Sequence, residues 1–373
     1  MHKPSGAVRQ RGFTLIEILV GVAIGVVGLL VIFQTMAVWN RHTQSTSSGG
    51  DSDTSGTLAM FNLERDLRLG GYGIGTVDST MSGCAVAVTN VANGTSFHFP
   101  LTPVVIVEGA GGAPDTINVL YGNSSFFTTG EQINSSVGET NALQRRNGFK
   151  QGDLAVVTGI LAGAPSCSLV EITDTSAADG FTVSHANGTP YVNYYTGASA
   201  ASGATFNPSP AYPVVTSSGM LYDLGPQPRL NQWTIVNQQV LQRTDLIHGT
   251  PPFDVAEGII NLKAQYGVDA NLDGRIDSGE WTTTAPVDWN TVLAVRIAIL
   301  VRSSQFERSA DAGASSSNGA VTTVNPSWSG GNFLMTDVNG GADSNLPGDP
   351  SNWRYYRYRV FERIIPLRNM IWG

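Results

Sequence analysis

The sequence is poor in charged residues and in cysteine. Only 13% of its 373 residues are Asp, Glu, Lys or Arg, and it contains two cysteines. Acidic residues outnumber basic ones by 29 to 21, which gives a net charge of −8. Because affinity for a phosphate backbone depends on clustered Lys and Arg side chains, this balance argues against nucleic-acid binding by the chain itself.

The chain also lacks the motifs of common catalytic sites. Its five histidines show no HExxH or similar spacing, and neither a phosphate-binding loop nor a G-x-S-x-G motif is present. The glycine-rich run 70–75 is no dinucleotide-binding loop, because such a loop follows a strand and this run follows a predicted helix. These absences predict that the protein is not an enzyme, although a catalytic triad assembled from distant positions is left open.

One long apolar stretch stands near the start of the chain. From Phe13 to Phe33 the only charged residue is Glu17, and 21 residues of helix span about 30 Å, the thickness of a bilayer's hydrocarbon core. The preceding segment carries Lys3, Arg9 and Arg11 and no acidic residue. Basic residues ahead of an apolar run stay in the cytoplasm, so the bulk of the chain is predicted to be exported.

This stretch differs from an ordinary secretory signal in two ways. A secretory signal has its small-residue cleavage site after the apolar run, whereas here Gly12 precedes the run and an acid lies within it. The segment Gly12-Phe-Thr-Leu-Ile-Glu17 resembles the class III signal of type IV pilins and pseudopilins. The resemblance implies that a prepilin peptidase cleaves between Gly12 and Phe13, N-methylates Phe13 and leaves the apolar helix as the core of a filament.

The acid inside the apolar run needs a partner. A carboxylate at membrane depth costs about 2.5–3.5 kcal/mol on insertion scales, so an intramembrane acid is usually paired. The resemblance implies that Glu17 pairs with the terminal ammonium of a neighbouring subunit and thereby sets the register of the filament. The alternative is an acid near the cytoplasmic headgroups that has no such role.

The two cysteines, Cys84 and Cys167, both lie in the part predicted to be exported, where disulfides persist. We therefore expect a Cys84–Cys167 bond, with two unpaired buried thiols as the alternative.

The rest of the chain is predicted to be a β-rich domain behind a long helix. Met60, Leu63 and Leu67 share one helical face, and Gly70-Gly71 is a predicted C-terminal cap. The polar segment 43–56 contains poor helix formers and predicts a linker or a frayed part of the helix. Short β-branched runs predict strands at 103–107, 115–121, 153–158, 168–173, 233–236, 239–242, 259–266, 293–301 and 354–365. The fold class is α+β: an enlarged pilin-like chain whose N-terminal membrane and filament helix packs on a β-rich globular domain.

Two further segments resemble a narrower group, the PilW-like minor pilins. The run 58–73 has that group's Leu, Asp-Leu-Arg and Gly-Tyr pattern at the end of the helix. Weaker resemblances cover 259–277 and the C-terminal strand region 354–370.

An acidic loop follows one predicted strand. Residues 269–280 agree with a twelve-residue EF-hand loop at every ligand position, and Gly274 allows the sharp turn. The predicted Ca²⁺ ligands are Asp269, Asn271, Asp273, Arg275 through its carbonyl, Asp277 and Glu280. No long helix follows the loop, so the alternative is an Asp-Gly hairpin turn that happens to be acidic.

Together these features predict a minor pilin that helps to initiate type IV pilus assembly at or near the tip. Its parts would be a leader (1–12), a membrane helix (13–38), a polar periplasmic segment (39–56) and a globular domain (57–373). Its partners would be the prepilin peptidase, the inner membrane before assembly, and the other minor pilins and the major pilin. The alternatives are a type II secretion pseudopilin, a pilus-tip adhesin whose loops 176–220 and 308–350 would bind a surface, and a membrane-tethered hydrolase.

Overall fold

The computed structural model describes residues 12–75, 77, 79–126, 129–146, 148–161, 164–208, 217–307, 319–344 and 346–371. The predicted leader with Lys3, Arg9 and Arg11 therefore lies outside the described residues, as do parts of the two predicted binding loops. The chain divides into two units between Asp51 and Ser52.

The N-terminal helix α1 is longer and more regular than expected. It runs from Leu15 to Leu69, 55 residues, and includes the segment predicted to be a linker or a frayed helix. Each poor helix former costs at most about 1 kcal/mol relative to alanine, and tertiary contacts readily offset that cost. Here Ser52 is buried, and Gly56 lies against the Phe361 ring with no room for a Cβ atom. The helix is therefore continuous through residues 46–56, and the expectation of a break or a frayed segment there is wrong.

The end of α1 follows the prediction. Gly71 has a positive φ of 82°, and its N–H donates to the Leu120 carbonyl at 2.9 Å. The Asn369 side chain donates to the carbonyls of Leu69 and Gly70 at 3.1 and 3.2 Å, which satisfies groups that a helix end leaves unpaired. The C-terminal segment of the chain thus fixes the end of α1.

The described residues form 21 strands and one further short helix, α2. The strands β1–β7 are Ala85–Asn90, Thr95–Pro100, Val104–Val107, Thr116–Tyr121, Glu131–Val137, Thr140–Leu143 and Leu154–Leu161. The strands β8–β14 are Ala164–Glu171, Thr182–Ser184, Tyr191–Val192, Ser199–Ala200, Ser217–Gly225, Arg229–Val236 and Val240–Asp245. The strands β15–β21 are Phe253–Glu257, Ile259–Val268, Trp281–Thr282, Val292–Arg302, Ser327–Trp328, Gly331–Asn332 and Tyr358–Pro366, and α2 is Arg368–Ile371.

These strands build three main sheets. An eight-stranded sheet has the order β2-β1-β8-β7-β12-β5-β6-β9, a five-stranded sheet β15-β14-β13-β4-β3, and a four-stranded sheet β17-β16-β18-β21. Two separate hairpins are formed by β10 with β11 and by β19 with β20. The α+β class predicted from the sequence is confirmed.

The second part of α1 packs on the five-stranded and four-stranded sheets at once. Its residues Ala59, Met60, Leu63 and Leu67 belong to one buried cluster with side chains from both sheets, including Trp233 and Ile297. Burying each large aliphatic side chain contributes about 1.5–3 kcal/mol. The apolar face predicted for this helix is therefore the one that holds it to the domain.

The predicted disulfide is present in the eight-stranded sheet. Cys84 and Cys167, which are 83 positions apart in sequence, are bonded, and their Cα atoms are 6.1 Å apart. Cys84 directly precedes β1, which pairs in parallel with β8. In this pairing Val86 of β1 lies opposite Cys167 of β8. In the chain-entropy model a loop of this size stabilises the fold by roughly 4–5 kcal/mol.

Candidate functional site

The start of α1 carries the predicted cleavage site. Gly12 and Phe13 precede the helix, and Phe13 is 85% exposed. From Leu15 to Met36 the helix has a mean hydropathy of 2.8 and buries none of its surface in the chain. A helix of this length and composition is suited to span a membrane.

Glu17 has a role that the sequence reasoning missed. The Thr14 N–H and the Thr14 hydroxyl donate to Glu17 Oε2 at 2.9 and 3.0 Å, and the Glu17 N–H donates to Thr14 Oγ1 at 3.3 Å. This reciprocal pattern is a capping box, whose Thr-x-x-Glu spacing is visible in the sequence. Glu17, which is predicted to set the register of the filament, therefore also caps the N terminus of α1 in its own chain.

A buried aspartate connects α1 to the β domain. Asp66 is 1% exposed, and its carboxylate accepts hydrogen bonds from Asn231 Nδ2 at 2.7 Å, Trp233 Nε1 at 3.1 Å and Tyr121 Oη at 3.3 Å. Burial raises the pKa of Asp66, and these donors together with Arg243 oppose that shift. An acid beside Leu63 and Leu67 on an apolar helical face is a sequence signal that could have identified this contact.

We expect Asp66→Ala to lower the free energy of unfolding by about 3 kcal/mol, because it removes the buried acceptor shared by the side chains of Asn231, Trp233 and Tyr121. Chemical denaturation of the full chain in detergent measures the effect. Arg68→Ala, which removes an exposed ion pair with Glu64, is the control and should change stability by less than about 1 kcal/mol. Equal effects of the two substitutions would refute this role for Asp66.

Two further buried acids lie at the eight-stranded sheet, Asp223 in β12 and Asp153 directly before β7. Asp153 and Asp223 are 0% and 1% exposed. Asp223 accepts hydrogen bonds from Ser124 Oγ at 2.5 Å and the Gly225 N–H at 2.8 Å, and Asp153 accepts one from Tyr195 Oη at 2.6 Å. Burial, and then the charge of Asp153, raise the pKa of Asp223 to about 7.

This pKa predicts a stability that depends on pH. The folded pKa of Asp223 lies above its unfolded value of 3.8, so protonation of Asp223 stabilises the folded chain. This contribution to the free energy of unfolding is complete below about pH 4 and is lost as the pH rises through 7. The full effect is on the order of 4 kcal/mol at 1.36 kcal/mol per pKa unit. We expect Asp223→Asn to raise the melting temperature more at pH 8 than at pH 5.

The difference between the wild-type and Asp223→Asn melting curves reports the titration of Asp223 together with its coupling to Asp153. Buried His185, whose pKa is lowered by burial, destabilises the fold as the pH falls, but it contributes equally to both proteins. The matched control is Asp254→Asn, which makes the same substitution at an exposed aspartate. If the difference does not vary between pH 5 and pH 8, Asp223 is not the group that titrates.

The predicted calcium loop closes on itself. The Asp269 carboxylate accepts hydrogen bonds from the N–H groups of Asp273 and Gly274 at 3.0 and 2.8 Å. The Glu280 carboxylate accepts from the N–H groups of Ala270 and Asp277 at 3.0 and 2.8 Å. Gly274 has a φ of 81°, so the sharp turn predicted there is present. The first and last predicted ligands thus lie at the base of one closed loop.

The remaining predicted ligands follow the same pattern. Asn271 Oδ1 accepts from the Asp273 N–H at 3.0 Å, and Asp273 Oδ1 accepts from the Arg275 N–H at 2.9 Å. Within the described residues, no group of three or more His, Cys, Asp and Glu side chains is arranged to hold a metal ion. The structure therefore brings the ends of the loop together without gathering its carboxylates, and the calcium site stays a prediction.

The loop leads directly into a stack of aromatic and cationic side chains. Trp281 follows Glu280 in β17, and the Arg296 guanidinium carbon lies 4.8 Å from the Trp281 ring centre and 5.3 Å from that of Trp328. Trp281 is therefore a natural fluorescent reporter of a rearrangement in the loop.

Two family models match the chain. Residues 8–33 match the prokaryotic N-terminal methylation motif, and residues 217–369 match the Type IV Pilus-assembly protein W family. No curated protein and no solved structure is similar enough to the chain to count as a match. The first segment contains Gly12, Phe13 and Glu17, and the second runs from β12 into α2. These matches confirm the predicted resemblance: over these two segments the chain is similar to type IV pilus-associated, PilW-type minor pilins, and the methylation motif with the apolar helix supports membrane anchoring through the N terminus.

Proposed function

We propose that this protein helps to initiate type IV pilus assembly and resides at or near the filament tip. The observation that carries the proposal is the combination of a class III signal with a PilW-type body in one chain. Its activity would be packing rather than catalysis. The apolar part of α1 would join the filament's helix bundle, and the β domain would contact other minor pilins and the major pilin.

The exposed part of α1 supports this role. Leu15–Met36 is apolar and exposed in the isolated chain, so it requires a bilayer or other apolar helices around it. The basic residues ahead of it favour a cytoplasmic N terminus, which would place the C-terminal domain in the periplasm before assembly. Cleavage by the prepilin peptidase would then release the helix to pass from the inner membrane into the filament.

Deletion of the gene distinguishes initiation from a role along the shaft. Loss of a subunit needed only for initiation should reduce the number of filaments per cell while leaving their length unchanged. Immunogold labelling of the β domain should then fall at filament ends. Normal filament numbers with label along the shaft would contradict the proposal, and a secretion defect without a pilus defect would favour the type II pseudopilin.

We also propose that residues 269–280 bind a calcium ion in the exported domain. The all-oxygen donor set and the closed loop support this, and the carboxylates would have to turn from the loop's N–H groups toward the ion. Asp269, Asp273, Asp277 and Glu280 would supply the side-chain charge.

EGTA is expected to lower the melting temperature of the full chain in detergent, and Ca²⁺ should restore it better than Mg²⁺. Trp281 fluorescence should change over the same titration. Glu280→Gln should weaken binding most among single changes, because it removes a bidentate ligand and keeps the side chain's size. Glu257→Gln, outside the loop, is the control. If the melting curve is the same in EGTA and in millimolar calcium, the loop is only a turn.

A further inference from the structure

One edge of the four-stranded sheet is open. In the part of the chain that the structure describes, the sheet ends at β21, which pairs with β18 on one side and with no strand on the other. β21 has nine residues, and its pairing with β18 contains no register shift. The other edge strands of the three main sheets are β2, β3, β9, β15 and β17, and each has two to six residues. Natural sheets usually keep their edge strands short or bulged, so a long regular edge is suited to pair with another chain.

The ladder with β18 determines which backbone groups of β21 face outward. The Ser303 N–H donates to the Arg357 carbonyl at 2.9 Å, and the Leu367 N–H donates to the Leu293 carbonyl at 2.8 Å. In an antiparallel pair, the residues that exchange hydrogen bonds alternate along each strand. The odd-numbered residues of β21 therefore bond to β18, and the even-numbered residues turn their N–H and C=O groups toward the open edge.

The outward groups are unpaired within the described ranges. No hydrogen bond from those ranges reaches the backbone N–H or C=O groups of Val360, Glu362 or Ile364. Pro366, which has no N–H to donate, belongs to the same outward series, as expected of a proline at a sheet edge. An extended polypeptide presents donors and acceptors at the same two-residue spacing, so the chemistry of this edge fits a β-strand.

Both faces of β21 carry packed elements, which confines docking to the edge. On one face, Phe361 lies against Gly56 of α1. On the other face, Val360 and Trp328 of β19 belong to one apolar cluster. Ile364 is 60% exposed, so an added strand would gain an apolar contact there.

A second copy of this chain is a poor partner for the edge. In antiparallel pairing about a two-fold axis centred at any residue from 359 to 363, either two arginines or two copies of Glu362 lie directly opposite each other. Like charges in this position destabilise a pair of strands. A strand of different sequence avoids the repulsion and can set an acidic residue opposite Arg363, whose side chain is 64% exposed.

We propose that the open edge of β21 receives a β-strand from a different subunit of the filament and that this strand extends the four-stranded sheet. The inference rests on the function proposed above. The part of α1 that contacts β21 continues the helix that would enter the filament's bundle. The edge therefore lies beside the element around which neighbouring subunits would pack.

Hydrogen exchange resolved to single residues tests the added strand. In the full chain in detergent, the N–H groups of Val360, Glu362 and Ile364 should exchange fast, whereas those of Phe361 and Arg363, which bond to β18, should exchange slowly. In the chain recovered from sheared filaments, exchange at the three outward positions should be at least about tenfold slower. Contacts made by side chains alone would not produce this change at alternate positions.

The outcomes separate this proposal from the proposed function. Unchanged exchange at the outward positions, in filaments that contain the chain, overturns the added strand and leaves the role in assembly intact. Absence of the chain from filaments overturns both. If the outward positions become slow in detergent as the concentration of the chain rises, the partner is a second copy and the proposal is wrong.

Two substitutions at the edge should reduce the ratio of this chain to the major pilin in sheared filaments about tenfold. Val360→Pro removes an outward N–H and adds a ring at the edge, but it takes no hydrogen bond from the ladder with β18. Ile364→Lys places a charge at an exposed position, and it keeps the test valid if Val360→Pro lowers stability. Val107→Lys, at an exposed valine of the edge strand β3, is the matched control and should leave the ratio unchanged. Normal incorporation of Ile364→Lys and Val360→Pro would overturn the proposal.

Discussion

Gly12→Leu is expected to leave the twelve-residue leader attached and the protein stranded in the membrane. The class III signal implies cleavage directly after glycine, and a branched side chain at this position is expected to prevent that cleavage. Mass spectrometry of the membrane fraction should detect only the unprocessed chain, and the sheared filament fraction should contain none of it.

The matched control is Gly21→Leu, in the same apolar helix. Gly21 has no neighbouring atom within 4 Å of a built Cβ, so the isolated helix accommodates leucine there. This variant should be processed normally whatever its effect on packing in a filament. Removal of the leader from both variants would show that Gly12 is not the cleavage residue.

Glu17→Ala should be cleaved and inserted but should enter filaments about tenfold less, or not at all. The substitution removes the carboxylate that would pair with the terminal ammonium of the adjacent subunit, and an unpaired charge at membrane depth costs several kcal/mol. It also removes the acceptor that the Thr14 N–H uses in the capping box. The ratio of this chain to the major pilin in sheared filaments measures the effect.

Two variants separate the inter-subunit role from capping. Thr14→Val removes the hydroxyl from the capping box but keeps the Glu17 carboxylate and the bond from the Thr14 N–H. It should lower helix stability by about 1 kcal/mol and leave incorporation nearly intact. Glu17→Gln keeps an acceptor for the cap and loses the charge. If Glu17→Gln assembles normally while Thr14→Val does not, the function of Glu17 is capping alone.

The class III signal motif and several strands could be predicted because short, local patterns encode them. The position of Gly12 before an apolar run with one internal acid is visible in six residues, and the strand Val292–Arg302 is visible in its alternation. The predicted strands from 103 to 365 all have counterparts in the structure, displaced by a few residues at their ends. The Cys84–Cys167 bond was predicted from the count of two cysteines in a domain expected to be exported.

Features that depend on distant contacts could not be predicted in this way. Local propensity favoured a weak point in α1, whereas the ion pair of Asp53 with Arg359 and the packing of Gly56 on Phe361, both about 300 positions away, hold that part of the helix. The strands β5, β6 and β9 are short and polar, and their hydrophobic signal is weak because only alternate residues face the core. The orientation of the carboxylates in the 269–280 loop depends on backbone hydrogen bonds that a ligand motif does not specify.

The central claim is that this chain is processed as a prepilin and assembled into a filament. The most direct test is the N-terminal peptide of the chain recovered from sheared filaments and analysed by tandem mass spectrometry. The account predicts a peptide that begins at N-methylated Phe13 and continues through Glu17. Recovery of a chain that still carries residues 1–12, or of one cut after the apolar run near Met36, would contradict it.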